Sequence, residues 1–372
     1  MELLAEAAPG TYYTFVFAFG AVWGSFLNVV IARLPEGLSV VSPPSRCPRC
    51  QQQIAWYDNV PVLSWLWLRA KCRGCGLPIS ARYPLVEALG GLLAVGIAFR
   101  LGPSGASLAY FVFALLLLAL SFIDLDHFWL PEHLSLPLLG LGLASPLWNR
   151  DLGATLAAYN LVPGPPLLQG FAASWGGALL GAGILWAVGK LGSVVFKKEA
   201  MGLGDVVLLA GIGAWLGVQS LFFVGMFASM QGAVVGALMI WRKGRAEGPA
   251  PEPVADSVTA PSTKPVTVRA SVTDSVTTPS EKPVNPPGPE TTSQVGPVAE
   301  AAPGPALPSP PGASAAAPAE DDWTPDRHHI PFGPFLALAA LEQLLAGDAI
   351  WAGWMGLMNH LWDLLDKLAG RA

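Results

Sequence analysis

The feature that most limits what this chain can become is a series of long apolar stretches, among them residues 110–123, 134–147, 171–188 and 206–240, that carry almost no charge. A bilayer core takes roughly 20 apolar residues of helix per crossing, because every backbone N–H and C=O inside lipid must be paired within the segment. With 52% hydrophobic and 13% charged residues over 372 positions, the chain is too apolar for an ordinary water-soluble domain. The expected fold is an all-α polytopic membrane protein, a bundle of about eight transmembrane helices. The spans are placed at 11–31, 84–99, 106–123, 134–147, 167–191, a hairpin of two over 206–240 broken near Gly217, Gln219 and Ser220, and 332–345. The first follows Glu2 and Glu6 where a secretory signal would carry Lys or Arg, so it reads as a retained helix. Beyond the last, Trp351 and Trp354 suit an interface, and residues 358–368 have the spacing of a separate helix lying on the membrane surface.

Charge orients the bundle. The segment 33–84 has seven Lys and Arg against two acids, so it is placed on the cytoplasmic side. The formal charge of -5 is misleading, because residues 246–330 hold eleven acids against four Lys and Arg, and the remainder sits at about +2. Nothing in that balance supports a nucleic-acid partner. Rich in Pro, Ala, Ser, Thr and Glu, residues 246–326 read as a disordered linker.

Two acids stand where the apolar runs end. The run that closes at Ile123 leads into Asp124, Leu125, Asp126 and His127, with Pro131 restarting a helix. Gly202, Leu203 and Gly204 precede Asp205, which opens another, and the two glycines permit close backbone approach. In the alternating topology both acids fall at cytoplasmic helix ends. Carboxylates near a membrane are costly unless they face a wet cavity or a partner. Two that share a site do not readily ionise together, so one holds a proton while the other can draw one from water. The competing reading makes Asp205 a helix cap and Asp124 and Asp126 loop acids.

All four cysteines lie in the basic loop as two C-x-x-C pairs, Cys47 with Cys50 and Cys72 with Cys75, separated by 21 residues. Four thiolates satisfy tetrahedral Zn(II) and leave no open position, so a structural zinc is expected, with redox or incidental cysteines as the alternative. Asn28 and Glu87 are polar groups in or beside spans, either bonding helix to helix or binding a ligand.

Gly202-Leu203-Gly204-Asp205 matches the signature of the GxGD aspartyl proteases, and 124–131 resembles the first aspartate motif of type IV prepilin peptidases. Residues 24–30 with 33–35, 82–87 and 330–336 resemble further family motifs. The resemblance implies Asp124 and Asp205 as the catalytic pair, with Asp126 and His127 shaping the site or facing solvent. It implies cleavage of type IV prepilin or pseudopilin leader peptides at the cytoplasmic face of the bacterial inner membrane. It also implies S-adenosylmethionine-dependent N-methylation of the new amino terminus; for the cofactor's binding the candidates are Asn28 and Glu87, taken from their polarity near lipid and not from the resemblance. The domain plan is then a first span (1–33), a tetracysteine zinc loop (34–83), a protease core (84–245), the linker (246–326) and a last span with an interfacial helix (327–372). A proton- or ion-coupled transporter with intramembrane aspartates is the competing function; it favours carboxylates at mid-membrane and inverted repeats.

Overall fold

A computed structural model describes residues 2–149, 152, 161–197, 201–246 and 330–368. Its helices follow the apolar runs. A short α1 (Glu2–Ala7) precedes α2 (Pro9–Arg33), and α3 (Leu63–Trp67) lies in the loop before α4 (Arg82–Leu101). Then come α5 (Gly105–His127), α6 (Glu132–Ala144), α7 (Pro166–Phe196), α8 (Leu203–Leu216), α9 (Val218–Ala246) and α10 (Gly333–Leu368).

Six helices, α2, α4, α5, α7, α9 and α10, are long and apolar enough to cross a membrane. With 13 and 14 residues, α6 and α8 rise only about 20 Å, short of a core about 30 Å thick. The eight expected spans therefore become six full-length helices and two short ones. The hairpin break falls at Gly217, whose φ of +79° suits a residue without Cβ.

α5 is the centre of the bundle, with Phe113, Leu117, Leu120 and Ile123 fully buried. Around it, helices meet through glycines, which replace the missing hydrophobic drive in lipid with close backbone packing. A Cβ on Gly24 of α2 would stand 2.7 Å from Glu87 Cα on α4. Gly177 of α7 and Gly213 of α8 face each other so closely that a Cβ on either would overlap the carbonyl oxygen of the other. Trp215 Nε1 on α8 donates to Leu138 O on α6 at 2.8 Å, fixing the two short helices together.

The C-terminal region differs from expectation. The span at 332–345 and the surface helix at 358–368 are one continuous helix, α10. No proline follows Pro334 in that stretch, so nothing stops the helix after its first crossing. Trp351 and Trp354, expected at an interface, pack on Phe223 and Phe222 of α9 with ring centroids 5.5 and 5.7 Å apart. The linker assigned to 246–326 lies outside the described residues apart from Ala246, which ends α9.

Candidate active site

Three helix ends deliver the candidate site. Asp124 sits in the last turn of α5, one turn before Phe128 closes the helix in the left-handed conformation with its N–H on Asp124 O at 2.9 Å. Its side chain is 5% exposed, and its Oδ2 is buried with no hydrogen-bond partner among the described residues. Asp205 is the third residue of α8, and its charge acts on Asp124. The N-cap residue of α8 is Gly202, so Asp205, in the first turn, does not occupy the cap position.

Only one of the two signature glycines is needed for close approach. A Cβ on Gly204 would stand 2.9 Å from Leu130 Cβ, which brings α8 against the segment joining α5 to α6. At Gly202 the nearest atom to an added Cβ is 3.9 Å away, and its φ of -73° suits any residue.

The third end was missed from the sequence as a site element. Gly333, the first residue of α10, presents its backbone amide to Asp124, and a Cβ there would come to 2.5 Å from Asp124 Oδ2. The signal was present in 330–336, but only as a likeness to a family motif and the start of a span.

Asp126, the nearby competitor, is exposed and engaged elsewhere. Arg82 at the start of α4 donates to its Oδ1 at 2.8 Å, while the guanidinium covers the Phe122 ring at 5.1 Å. Asp126 thus pins α4 to α5 beside the buried Asp124.

The four cysteines form a second constellation. Each C-x-x-C turn is closed by its own backbone: Cys47 N donates to Gln52 O and Cys72 N to Leu77 O, both at 2.9 Å. Isolated bridges Arg46 to Gln53 and Lys71 to Pro78 extend the two turns alike. The residue after each second cysteine is left-handed, Gln51 at φ 58° and Gly76 at φ 68°. Cys47 and Cys75 stand 4.0 Å apart at Sγ, as do Cys50 and Cys72, and all four sulfurs lie within 4.8 Å of one another. A tetrahedron on Zn–S bonds of about 2.3 Å has edges of about 3.8 Å, so the donor set fits a metal such as zinc. The amides of Cys50 and Arg49 pull the Cys47 thiol down to about 6. At Cys50 the amide of Gln52 also favours thiolate, but burial and three neighbouring sulfurs outweigh it and push the thiol up to about 11.

Between this loop and the ends of α2 and α4 lies a cavity of about 490 Å³. Asn28 and Glu87, singled out separately from the sequence, both line it. Each also has a holding contact: Asn28 Nδ2 donates to Tyr83 O at 3.1 Å, and Glu87 Oε2 accepts the Val62 N–H at 2.7 Å.

The chain is similar to known families along most of its length. Residues 18–101 match the Bacterial Peptidase A24 N-terminal domain and 111–237 the Type IV leader peptidase family. A "Prepilin leader peptidase/N-methyltransferase" of Myxococcus xanthus is 41% identical over 338 residues, covering 90% of each chain. Proteins of that name from Aeromonas hydrophila and Burkholderia pseudomallei (strain K96243) are 42% and 38% identical over 64% and 68% of this chain, and over 84% of each relative. No solved structure matches.

Proposed function

The chain belongs to the type IV leader peptidase family, and from that premise we propose that Asp124 and Asp205 carry out the prepilin leader cleavage its relatives are named for. The observation that carries this is that Asp124 on α5 and Asp205 on α8 come near enough for the charge of one to act on the other, with a buried oxygen of Asp124 left without a partner among the described residues. A buried polar atom of that kind needs a water or a substrate group.

The chemistry follows from a shared proton. The ionised aspartate takes a proton from water as its oxygen adds to the scissile carbonyl; the protonated one gives its proton to the carbonyl oxygen. On collapse of the tetrahedral adduct the C–N bond breaks, the aspartate that took water's proton gives it to the leaving nitrogen, and the other aspartate takes back the proton of the adduct's hydroxyl, which restores the pair. Both aspartates lie at helix ends, and Asp126, two residues after Asp124, is held by Arg82 of the basic segment, which supports a site at the cytoplasmic face of the inner membrane. That depth also speaks against the ion-coupled transporter, which favours acids in mid-membrane.

The second activity is N-methylation of the amine that cleavage frees. S-adenosylmethionine supplies an electrophilic methyl group. When bound, it would methylate that amine in its neutral form, and the amine's proton would pass to water. Cys47, Cys50, Cys72 and Cys75 would hold zinc with four protein ligands, which would leave it no open position and a structural role.

Incubating the full-length protein in lipid with a short-leader prepilin and methyl-labelled S-adenosylmethionine tests this. The expected result is a size shift and label on the new amino terminus. Ion flux without a size shift supports the transporter instead.

A further inference from the structure

We infer that the cavity between the cysteine loop and the ends of α2 and α4 binds S-adenosylmethionine, an assignment that rests on the methyltransferase half of the function proposed above. Its volume of about 490 Å³ falls within the range of small-molecule sites, about 300–1,000 Å³. Neither Asp124 nor Asp205 lines it, so it is a site separate from the peptidase pair.

Its unmatched charges describe the ligand. Glu87, on the α4 wall, is 9% exposed, and among the described residues no Lys, Arg or His pairs with it. A buried carboxylate with no cation is costly, and one that faces a cavity draws a cationic ligand. The loop wall is opposite in sign. Arg33 is taken up by the carbonyls of Ser39 and Pro43, and Arg73 by Asp58. The guanidiniums of Arg46 and Arg49 have no acceptor among the described residues, so they are available for a carboxylate. Tyr57, Trp65 and Tyr83 add aromatic rings to the same lining. A ligand with a cationic end, a carboxylate and a flat heterocycle matches all three, and S-adenosylmethionine has a sulfonium and an ammonium, a carboxylate and a purine.

Location adds a reason. α4 carries both sites on its first turns: Arg82 holds Asp126 beside the peptidase pair, and Tyr83 and Glu87 face the cavity. A new amino terminus freed at Asp124 and Asp205 is thereby at the helix end that borders the cavity. Two of the cysteines, Cys47 and Cys72, form part of the wall, so the metal loop shapes the site.

The test uses full-length protein in lipid nanodiscs, tritiated S-adenosylmethionine for affinity and its 8-azido analogue for photolabelling. Expected is label on peptides within residues 46–83, and a Kd raised at least about tenfold in Glu87→Gln and in the Arg46→Ala/Arg49→Ala double variant. Glu87→Gln keeps an oxygen for the Val62 N–H, and zinc content checks that the loop is intact. Label elsewhere in the chain, or wild-type affinity in both variants, overturns the assignment while leaving the methyl donor in place. Displacement of the label by a leader peptide but not by S-adenosylhomocysteine gives the cavity to the peptide, and also overturns it. Absence of any binding to the wild-type protein removes the methyl-donor reading, and the cavity assignment falls with it.

Discussion

The bundle around Asp124 and the loop around the cysteines are built on opposite principles. Near Asp124, Ile123, Leu208 and Leu336 are fully buried, and helix ends are positioned by packing. Within residues 34–81, by contrast, Cys47 is the only buried residue, while Trp56 and Trp67 are each 84% exposed. One region owes its geometry to a core, the other to four sulfurs gathered around one point. On the function proposed above, a reaction that needs two fixed carboxylates draws on the rigidity of the bundle, while the loop, with so little core, offers four sulfurs arranged to suit a metal.

The comparison breaks most readily at the metal. Structural zinc contributes about 10–16 kcal/mol to small metal-held folds. Cys47→Ser/Cys50→Ser, or a strong chelator, should release the metal and open residues 45–79 to protease while the membrane helices stay protected. Simultaneous loss of protection in both regions would show that they are not independently held.

The converse change is Gly213→Leu, which forces a side chain into the carbonyl of Gly177. Overpacking costs about 1–3 kcal/mol, and more where backbone must move. The bundle's thermal transition should fall and the zinc content should stay at its wild-type value.

Gly333→Ala sharpens the picture around the aspartates. Its Cβ would crowd Asp124 Oδ2 at 2.5 Å, so the α10 end must shift. Displacement of catalytic geometry by about 1 Å can cost about 100-fold in rate. Leader cleavage should drop by about 10- to 100-fold, with a much smaller change in melting temperature; unchanged cleavage would remove Gly333 from the site.

Two loop substitutions should have the smallest effects. Gln51 occupies the left-handed position that glycine fills in the other turn, so Gln51→Gly should slow metal loss, by up to about 1 kcal/mol in loop stability. Asp58→Asn removes the pairing by which Arg73 holds the Asp58 carboxyl below the usual carboxylate range. A depressed carboxyl stabilises the fold above its unfolded pKa, and that share fades as pH falls through the lower folded value. The variant should therefore differ slightly from wild type in loop proteolysis at neutral pH, and the difference should shrink in acid.

Much of this was legible in the sequence because lipid imposes a strong rule on composition. The apolar runs located every long helix, and the Gly217 break was placed correctly. Helix length was harder: α6 and α8 were counted as spans although Pro131 and Pro146 bracket the first and Gly202 and Gly217 the second, and α10 continues because no proline interrupts it. The aspartates and cysteines were visible as chemistry at helix ends and in a basic loop. Gly333 was not, since its role depends on bringing together residues 209 positions apart in sequence. Likewise Asn28 and Glu87 could be picked out as polar groups near lipid, but only the packing of α2 on α4 puts them in one cavity. Gly202 and Gly204 look equivalent in sequence, and only the nearness of Leu130 separates them.

If Asp124 and Asp205 act as one pair, neither can be spared, and leader cleavage by Asp124→Asn and Asp205→Asn proteins, each purified in lipid with metal content and melting temperature measured alongside, decides it. Both variants should retain the wild-type metal content and melting temperature and leave the prepilin uncut. Full processing of the leader by either one would contradict it.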